Sequence, residues 1–254
     1  MFEDLKEREI FSKIRYSNSF LVVRCDGRNF KKLSKILDLV PFDERFRRAF
    51  LGTVINFMKT SGFDTRLAFF ASDEISYFIA NIPYMGRIEK IDSIIASYTS
   101  SIFSLKIYET FKKAISVAFD SRIVDLRNLE DVTSYLIWRQ NDAFRNFLNK
   151  MAQVIFLEKG YSPRSVCKIL EGLKANELIN IINKNKGDIK TFPNWQKYGD
   201  LVYLKPFQKK AIDKILGKEV TVKRHRITIE SFNFLENIDK LNNIIKELLF
   251  QDQT

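Results

Sequence analysis

Leu21 to Phe30 reads LVVRCDGRNF: an apolar run, β-branched in its middle, that stops at an acid, then a glycine, then an arginine. A run of this length and texture is expected to be a buried strand, Ser19 to Cys25, ended by Asp26-Gly27. Its counterpart is Arg66 to Ala80, RLAFFASDEISYFIA, where two β-rich runs flank Ser72-Asp73-Glu74. These predict a hairpin of Arg66 to Ala71 and Ile75 to Ala80 with acids near its tip.

The segments between them have helical spacing. Phe30 to Leu37 suits one or two turns, and Asp43 to Lys59 repeats Phe46, Phe50, Val54 and Phe57 on one side. Arg87 to Lys112 is a long helix with the stripe Ile91, Ile94, Ile95, Tyr98 and Ile102, and Ala114 to Asp120 is a further strand. The order is β-α-β-β-α-β, an α+β, ferredoxin-like frame. It places Asp26 beside the hairpin carrying Asp73, although 47 positions separate them.

From Leu129 the texture changes. Asp131 to Glu158 reads as a long helix with Trp138, Phe144, Phe147 and Leu148 on its apolar side, Trp138 being expected in the core. Ser162-Pro163 caps a helix through Leu170. A short helix (Asn176 to Asn183), a polar loop (Asn185 to Pro193), strands at Leu201 to Leu204 and Val220 to Ile229, and a closing helix (Glu236 to Phe250) follow. The expected division is a catalytic unit, 1–130, and a mainly helical region, 131–254, packed on it as a second layer.

Composition narrows the function classes. The only histidine, His225, lies in KRHR, so zinc sites and histidine-based triads lack their parts. Cys25 and Cys167 are far apart and outside any metal spacing, as expected of reduced, packed thiols in a cytoplasmic protein. No uncharged run is long enough to span a membrane. The acidic, amphipathic start, MFEDLKEREIF, is unlike a signal peptide.

The formal net charge of +11 points to an anionic partner. It is uneven: Lys205 to Arg226 holds eight Lys or Arg, Lys205, Lys209, Lys210, Lys223, Arg224 and Arg226 among them, against two acids. Phe192, Trp195, Tyr198, Tyr203 and Phe207 lie beside or within this stretch. Lysines that neutralise phosphates next to rings that stack on bases predict an RNA surface.

Two acids at strand ends suit phosphoryl or nucleotidyl transfer, which needs metals that neutralise charge and align oxygens. Asp26 and Asp73 are read as a pair holding two Mg²⁺ ions over a triphosphate. Gly27 lets the backbone come close and offers its carbonyl. The amides of Arg28, Asn29, Phe30 and Lys31, with the Lys31 side chain, are placed to cradle phosphates. Ser72 joins the same group, and Glu74 orients Asp73 or holds water. A nucleotidyl cyclase and a non-catalytic RNA-binding module are the competing readings.

RCDGRNFKKLSK, ASDEISYFI, FDSRIV and SYLIWRQNDAFRN resemble, in order and spacing, the histidine-tRNA guanylyltransferase superfamily of 3′-to-5′ RNA polymerases. The likeness covers about residues 15–150 well and GYSPRSVCKIL and PNWQKYGDLVYL more loosely. It implies a polymerase- and cyclase-type palm, metal ligation by Asp26, Gly27 and Asp73, and a nucleotide site of Asp26 through Lys31 with Ser72 and Asp73. Arg87 and Lys90 match a basic pair that contacts triphosphate, and Arg139 and Asn146 are candidates for RNA. ATP or GTP activation of a tRNA 5′ end, other NTPs as substrates, and a homotetramer are also implied.

Two departures bear on the branch. The guanylyltransferases proper continue WRQ with a segment like DCHINN. Here it is DAFRNF, with Phe144 at the histidine and Phe147 at the second asparagine. That resembles the guanylyltransferase-like branch, which repairs truncated tRNA 5′ ends by templated addition; a single G on histidine tRNA is the alternative. The family also places lysine before proline where this chain has Val40-Pro41, so one phosphate-contacting lysine is either missing or replaced by Lys31, Lys32 or Lys35.

Overall fold

The computed structural model describes residues 5, 8–18, 20–212 and 218–250. Ser19, at the expected start of the first strand, Asp213 and Lys214 of the basic stretch, and 1–4 and 6–7 of the acidic opening lie outside the described residues.

An antiparallel six-stranded sheet positions everything else. β1 (Leu21–Gly27) lies between β3 (Glu74–Ile79) and β4 (Phe119–Val124). β2 (Thr65–Ala71) follows β3, and β5 (Asp200–Ile212) and β6 (Glu219–Glu230) continue beyond it, giving the order β4-β1-β3-β2-β5-β6. The expected β-α-β-β-α-β order is present in the first half, with two helices in its first crossover: α1 (Phe30–Ile36) and α2 (Glu44–Thr60), then α3 (Ile88–Phe111) after β3. The sheet runs across residue 130, because β5 comes from the second half and pairs with β2.

Strand alternation sorts the side chains into two cores. Leu21, Val23, Cys25, Phe70, Ile75 and Tyr77 pack with α1, α2 and α3 around Phe50, Phe57 and Phe103. Val22, Leu67, Phe69 and Phe78 face the other way, against α4 (Leu129–Glu158) and α8 (Ile238–Ile245). The far end of α4 makes a third core with α6 (Ala175–Lys186), through Phe147, Leu148, Met151, Leu178 and Ile182. The short helices α5 (Pro163–Leu170) and α7 (Asn194–Tyr198) complete this layer. Asp43, Asn128 and Ser162 cap α2, α4 and α5 through their side chains, and Pro163 opens α5 as its sequence predicts.

Three elements differ from expectation for physical reasons. β4 begins at Phe119, not Ala114: the Val117 and Phe119 amides are taken by the hydroxyls of Ser104 and Ser100 on α3, at 3.0 and 2.9 Å. β5 extends to Ile212, past the expected Leu204. β2 pairs with it only from Asp200 to Tyr203, so its outer part and β6 form a two-stranded ribbon with polar residues on both sides. Such a ribbon lacks the alternation that reveals a half-buried strand. The closing helix starts at Ile238 and widens into a π turn at Lys246–Phe250. Cys25 is buried, and burial pushes its thiol up to about 12; Cys167, expected to pack, is exposed. No helix among the described residues is long and apolar enough to cross a membrane.

Arg47 on α2 fastens the two halves. It grips the buried Asp200 carboxylate on β5 through two bonds of 2.7 and 2.9 Å, lies over the Trp195 ring at 4.9 Å, and reaches Glu44. Replacing Arg47 with alanine strands a carboxylate that is 1% exposed. A loss of about 3 kcal/mol is expected, seen as a lower urea midpoint with an unchanged slope.

Candidate functional site

Asp26 and Asp73 meet at one end of the sheet. Ala71 pairs with Glu74, so Ser72-Asp73 is a two-residue hairpin loop, and Ser72 takes φ 58° to close it. The Gly27 amide donates to the Asp73 carbonyl at 3.0 Å, which ties the end of β1 to the hairpin tip. Ser72 Oγ donates to Asp73 Oδ1 at 3.1 Å. Burial pushes the Asp73 carboxyl above the ordinary aspartate range; the Ser72 hydrogen bond opposes this, Asp26 adds to it, and Lys31 counters it.

The loop after β1 is built around Phe30. Its ring is buried and lies 5.3 to 6.0 Å from those of Phe46, Phe50, Phe103 and Phe119. A Cβ on Gly27 would lie 2.1 Å from Phe30 Cε2, so this position requires glycine for space. Asn29 takes φ 59° to start α1. Arg28, Asn29 and Lys31 stay exposed around it. Phe30 thus anchors the loop through its ring, and only its backbone is available to a ligand.

Glu74 is otherwise engaged. Arg139 on α4 holds both its oxygens at 2.7 Å, and Arg24 lies 3.7 Å away. Burial pushes the Glu74 carboxyl up, and these guanidiniums pull it back. It is a clamp between β3 and α4 and not an acid open to water. Arg139 also bonds Asp142 at 2.7 Å, so its donors are spent on protein rather than on RNA.

A recess of about 520 Å³ opens beside Asp73, with Lys31, Val40, Asn146, Lys150 and Trp195 in its walls. Asn146 therefore faces this recess. Lys150 was not legible as a site residue: its only signal is the helical spacing of Ala143, Asn146, Lys150 and Gln153, which all line the recess. Of the lysines expected to stand in for the one missing at Val40, Lys31 lines it and Lys32 and Lys35 do not. Asp120, another residue passed over, pairs with Asp26 across β1 and β4, on the opposite side from Glu74.

Arg87 and Lys90 do not line this recess. Arg87 bridges Arg15, and Asp92, two positions after Lys90, accepts from the hydroxyl of Ser121, the register partner of Cys25. Lys90 lies over the Tyr84 ring, 4.6 Å from its centroid.

The basic stretch is the β5–β6 ribbon. Lys205 pairs with Arg226, Phe207 with Arg224 and Lys209 with Val222, so one face gathers four cations around an exposed phenylalanine. Lys210 and Lys223 lie on the other face. The remaining aromatics belong elsewhere. Phe192 packs on Phe147, Tyr198 stacks on Phe144, Tyr203 is buried, and Trp195 lines the recess.

A family model described as tRNAHis guanylyltransferase matches residues 2–127. A tRNA(His) guanylyltransferase of Candida glabrata is 30% identical over 72% of this chain and 81% of its own length. The chain belongs to the tRNA(His) guanylyltransferase family. Members of that family are nucleotidyltransferases. An Arabidopsis thaliana relative, tRNA(His) guanylyltransferase 1, is 26% identical over 80% of this chain, which spans only 37% of that protein. In solved structures, the Saccharomyces cerevisiae enzyme superposes with a TM-score of 0.70 at 26% identity, covering 80% of this chain and 93% of that one. A bacterial tRNA(His) guanylyltransferase-like protein in complex with ATP superposes at 0.74 and 21% identity, covering 96% and 98%, a likeness of fold alone.

The Mg²⁺ that the sequence resemblance implies fits the donors present. Mg²⁺ takes one or two carboxylates and leaves its other positions to phosphate and water. Asp26 and Asp73 with the Gly27 carbonyl suit that demand, and Asp26 has no side-chain partner among the described residues. No cluster of three or more ligating side chains occurs among them.

Gly27→Ala is expected to displace the Phe30 ring and weaken nucleotide binding by on the order of tenfold, measured by fluorescence titration. Adding Phe30→Leu makes room for the methyl group and is expected to recover part of the loss.

Proposed function

We propose that this chain transfers a nucleotide to the 5′ end of tRNA, with Asp26 and Asp73 as the metal-holding pair. The observation that carries the reading is the meeting of these two acids beside a recess that Asp73, Lys31 and Lys150 line, in a chain of this family. The incoming triphosphate lies along Arg28–Lys31, with Ser72 and the two lysines facing its phosphates. Two Mg²⁺ ions held with it would neutralise phosphate charge and align the reacting oxygens. The 3′-OH of the nucleotide attacks the activated 5′ phosphate of the RNA and expels AMP or GMP after activation by ATP or GTP, or pyrophosphate from a triphosphorylated end.

The names of the curated relatives favour addition of a single G to histidine tRNA. Templated repair of truncated tRNA is the second reading, and Phe144 favours it: a stacked aromatic, 5.6 Å from Tyr198, occupies the place of the family's histidine. The order β4-β1-β3-β2 with antiparallel pairing supports reading 1–130 as a ferredoxin-like palm, with 131–254 as its RNA-binding complement. Free thiols at Cys25 and Cys167 suit the cytoplasm. Assembly into a homo-oligomer such as a tetramer is part of the same reading, by family resemblance.

The deciding experiment incubates 5′-labelled full-length histidine tRNA and a 5′-truncated tRNA with Mg²⁺ and NTPs. One added G on the first alone supports the principal reading, and growth of the second to a fully paired stem supports repair. Asp73→Ala is expected to abolish addition to either while RNA affinity stays within about twofold; retained turnover would remove the metal-pair assignment. Lys209→Ala with Arg224→Ala is expected to weaken tRNA binding and to reduce the slope of log affinity against log salt by roughly 1.5.

A further inference from the structure

Trp138, expected in the core, is 51% exposed. Its ring lies under two guanidiniums, Arg139 at 4.5 Å and Arg24 at 5.8 Å from the centroid, and stands edge-on to Tyr135 at 5.9 Å. Both arginines also reach Glu74, at 2.7 and 3.7 Å. Trp138 is therefore one side chain away from the residue that faces Asp26 across β1 and β3. Arg24 Nε is buried and faces the Glu74 carboxylate at 3.7 Å without a hydrogen bond.

Trp138 forms one end of a second recess, about 540 Å³, walled by Val124, Leu126, Arg127, Ser134 and Tyr135. No residue lines both recesses. α4 passes over the two in turn: Ser134, Tyr135 and Trp138 face one, Ala143, Asn146 and Lys150 face the other, and the Arg139–Glu74 clamp stands between them. Asp73 lines the recess that Lys150 faces, and Asp26 pairs with Glu74 of the clamp. The recess beside Asp73 has the lysines a free triphosphate needs. The Trp138 recess follows β4, the edge strand of the sheet, so a chain lying in it has room to continue outward.

We propose that Trp138 is the stacking platform for the terminal base at the 5′ end of the RNA. The inference rests on the tRNA reading above and deepens it. An exposed ring accepts any base on its π-face. Arg24, Arg139 and Arg122, which pairs with Arg24 across β1 and β4, put positive charge at the Trp138 end, whereas Asp125 and Asp131 lie along the rest of the recess. A base stacked on Trp138 brings its 5′ phosphate toward the positive charge of Arg24 and Arg139. The RNA end and the incoming nucleotide then approach the carboxylates from opposite sides. Arg139, spent on Glu74 and Asp142, is a positioning residue for the ring.

The chain's two tryptophans report the recesses separately. In full-length Trp195→Phe protein the emission is that of Trp138. A tRNA transcript with 2-aminopurine at its 5′-terminal position is expected to quench that emission and to lose its own; the same label in the anticodon loop keeps its emission. Trp138→Ala is expected to raise KM for RNA by on the order of tenfold without changing KM for NTP, and Trp138→Phe to recover most of it. A Trp138 signal that answers NTP alone, or that follows protein concentration without RNA because a second copy covers the ring, overturns the proposal. So does equal loss in the Ala and Phe variants. Wild-type protein that extends RNA while Trp138 stays silent refutes the platform and keeps the activity. Protein that quenches the terminal label yet extends no RNA does the reverse.

Discussion

The Phe30 ring rests on Gly27, and the site depends on that contact. The ring belongs to the main core, held by phenylalanines from α2, α3 and β4. Gly27 follows Asp26 directly and bonds the Asp73 carbonyl. One aromatic packing event thus fixes the loop proposed to meet phosphate, the end of β1, and the approach of the hairpin. A side chain at Gly27 would separate the loop from the core; a smaller ring-free residue at Phe30 would leave the loop unanchored. The conformation of the polar site is set from its apolar side.

Much of this was legible in the sequence because it is local or periodic. The Asp26–Asp73 meeting followed from β-α-β-β-α-β order, since β3 must lie beside β1 for the frame to close. What escaped was decided by groups distant in sequence. Ser100 and Ser104 delay β4 by capturing amides. Arg139 neutralises Glu74, so an acid that looked catalytic became a clamp. Trp138 looked like core on helical spacing, yet the ring turns outward to arginines from β1 and its own helix. Lys150 carries no motif and matters only because α4 crosses the recess. The ribbon was half-seen, since charge on both faces hides the period of two.

The same charges explain why so basic a chain presents an acidic centre. Asp120, Asp26 and Glu74 stand side by side across three strands, and like charges facing each other across a sheet are unfavourable. Two of the three are relieved within the chain: Glu74 by Arg139 and Arg24, and Asp120 by Arg122 at 3.5 Å. Asp26 has no such cation among the described residues, and Asp73 lies half-buried next to it. The unrelieved charge is confined to that pair. On the proposed reading, a nucleotide arriving with Mg²⁺ would supply the missing cation, whereas an RNA arriving alone would not. Long-range attraction from the ribbon and the +11 net charge would gather both anions, and the local acids would favour a metal-bearing triphosphate beside Asp73. The proposed division between two recesses would then follow from where the arginines are spent.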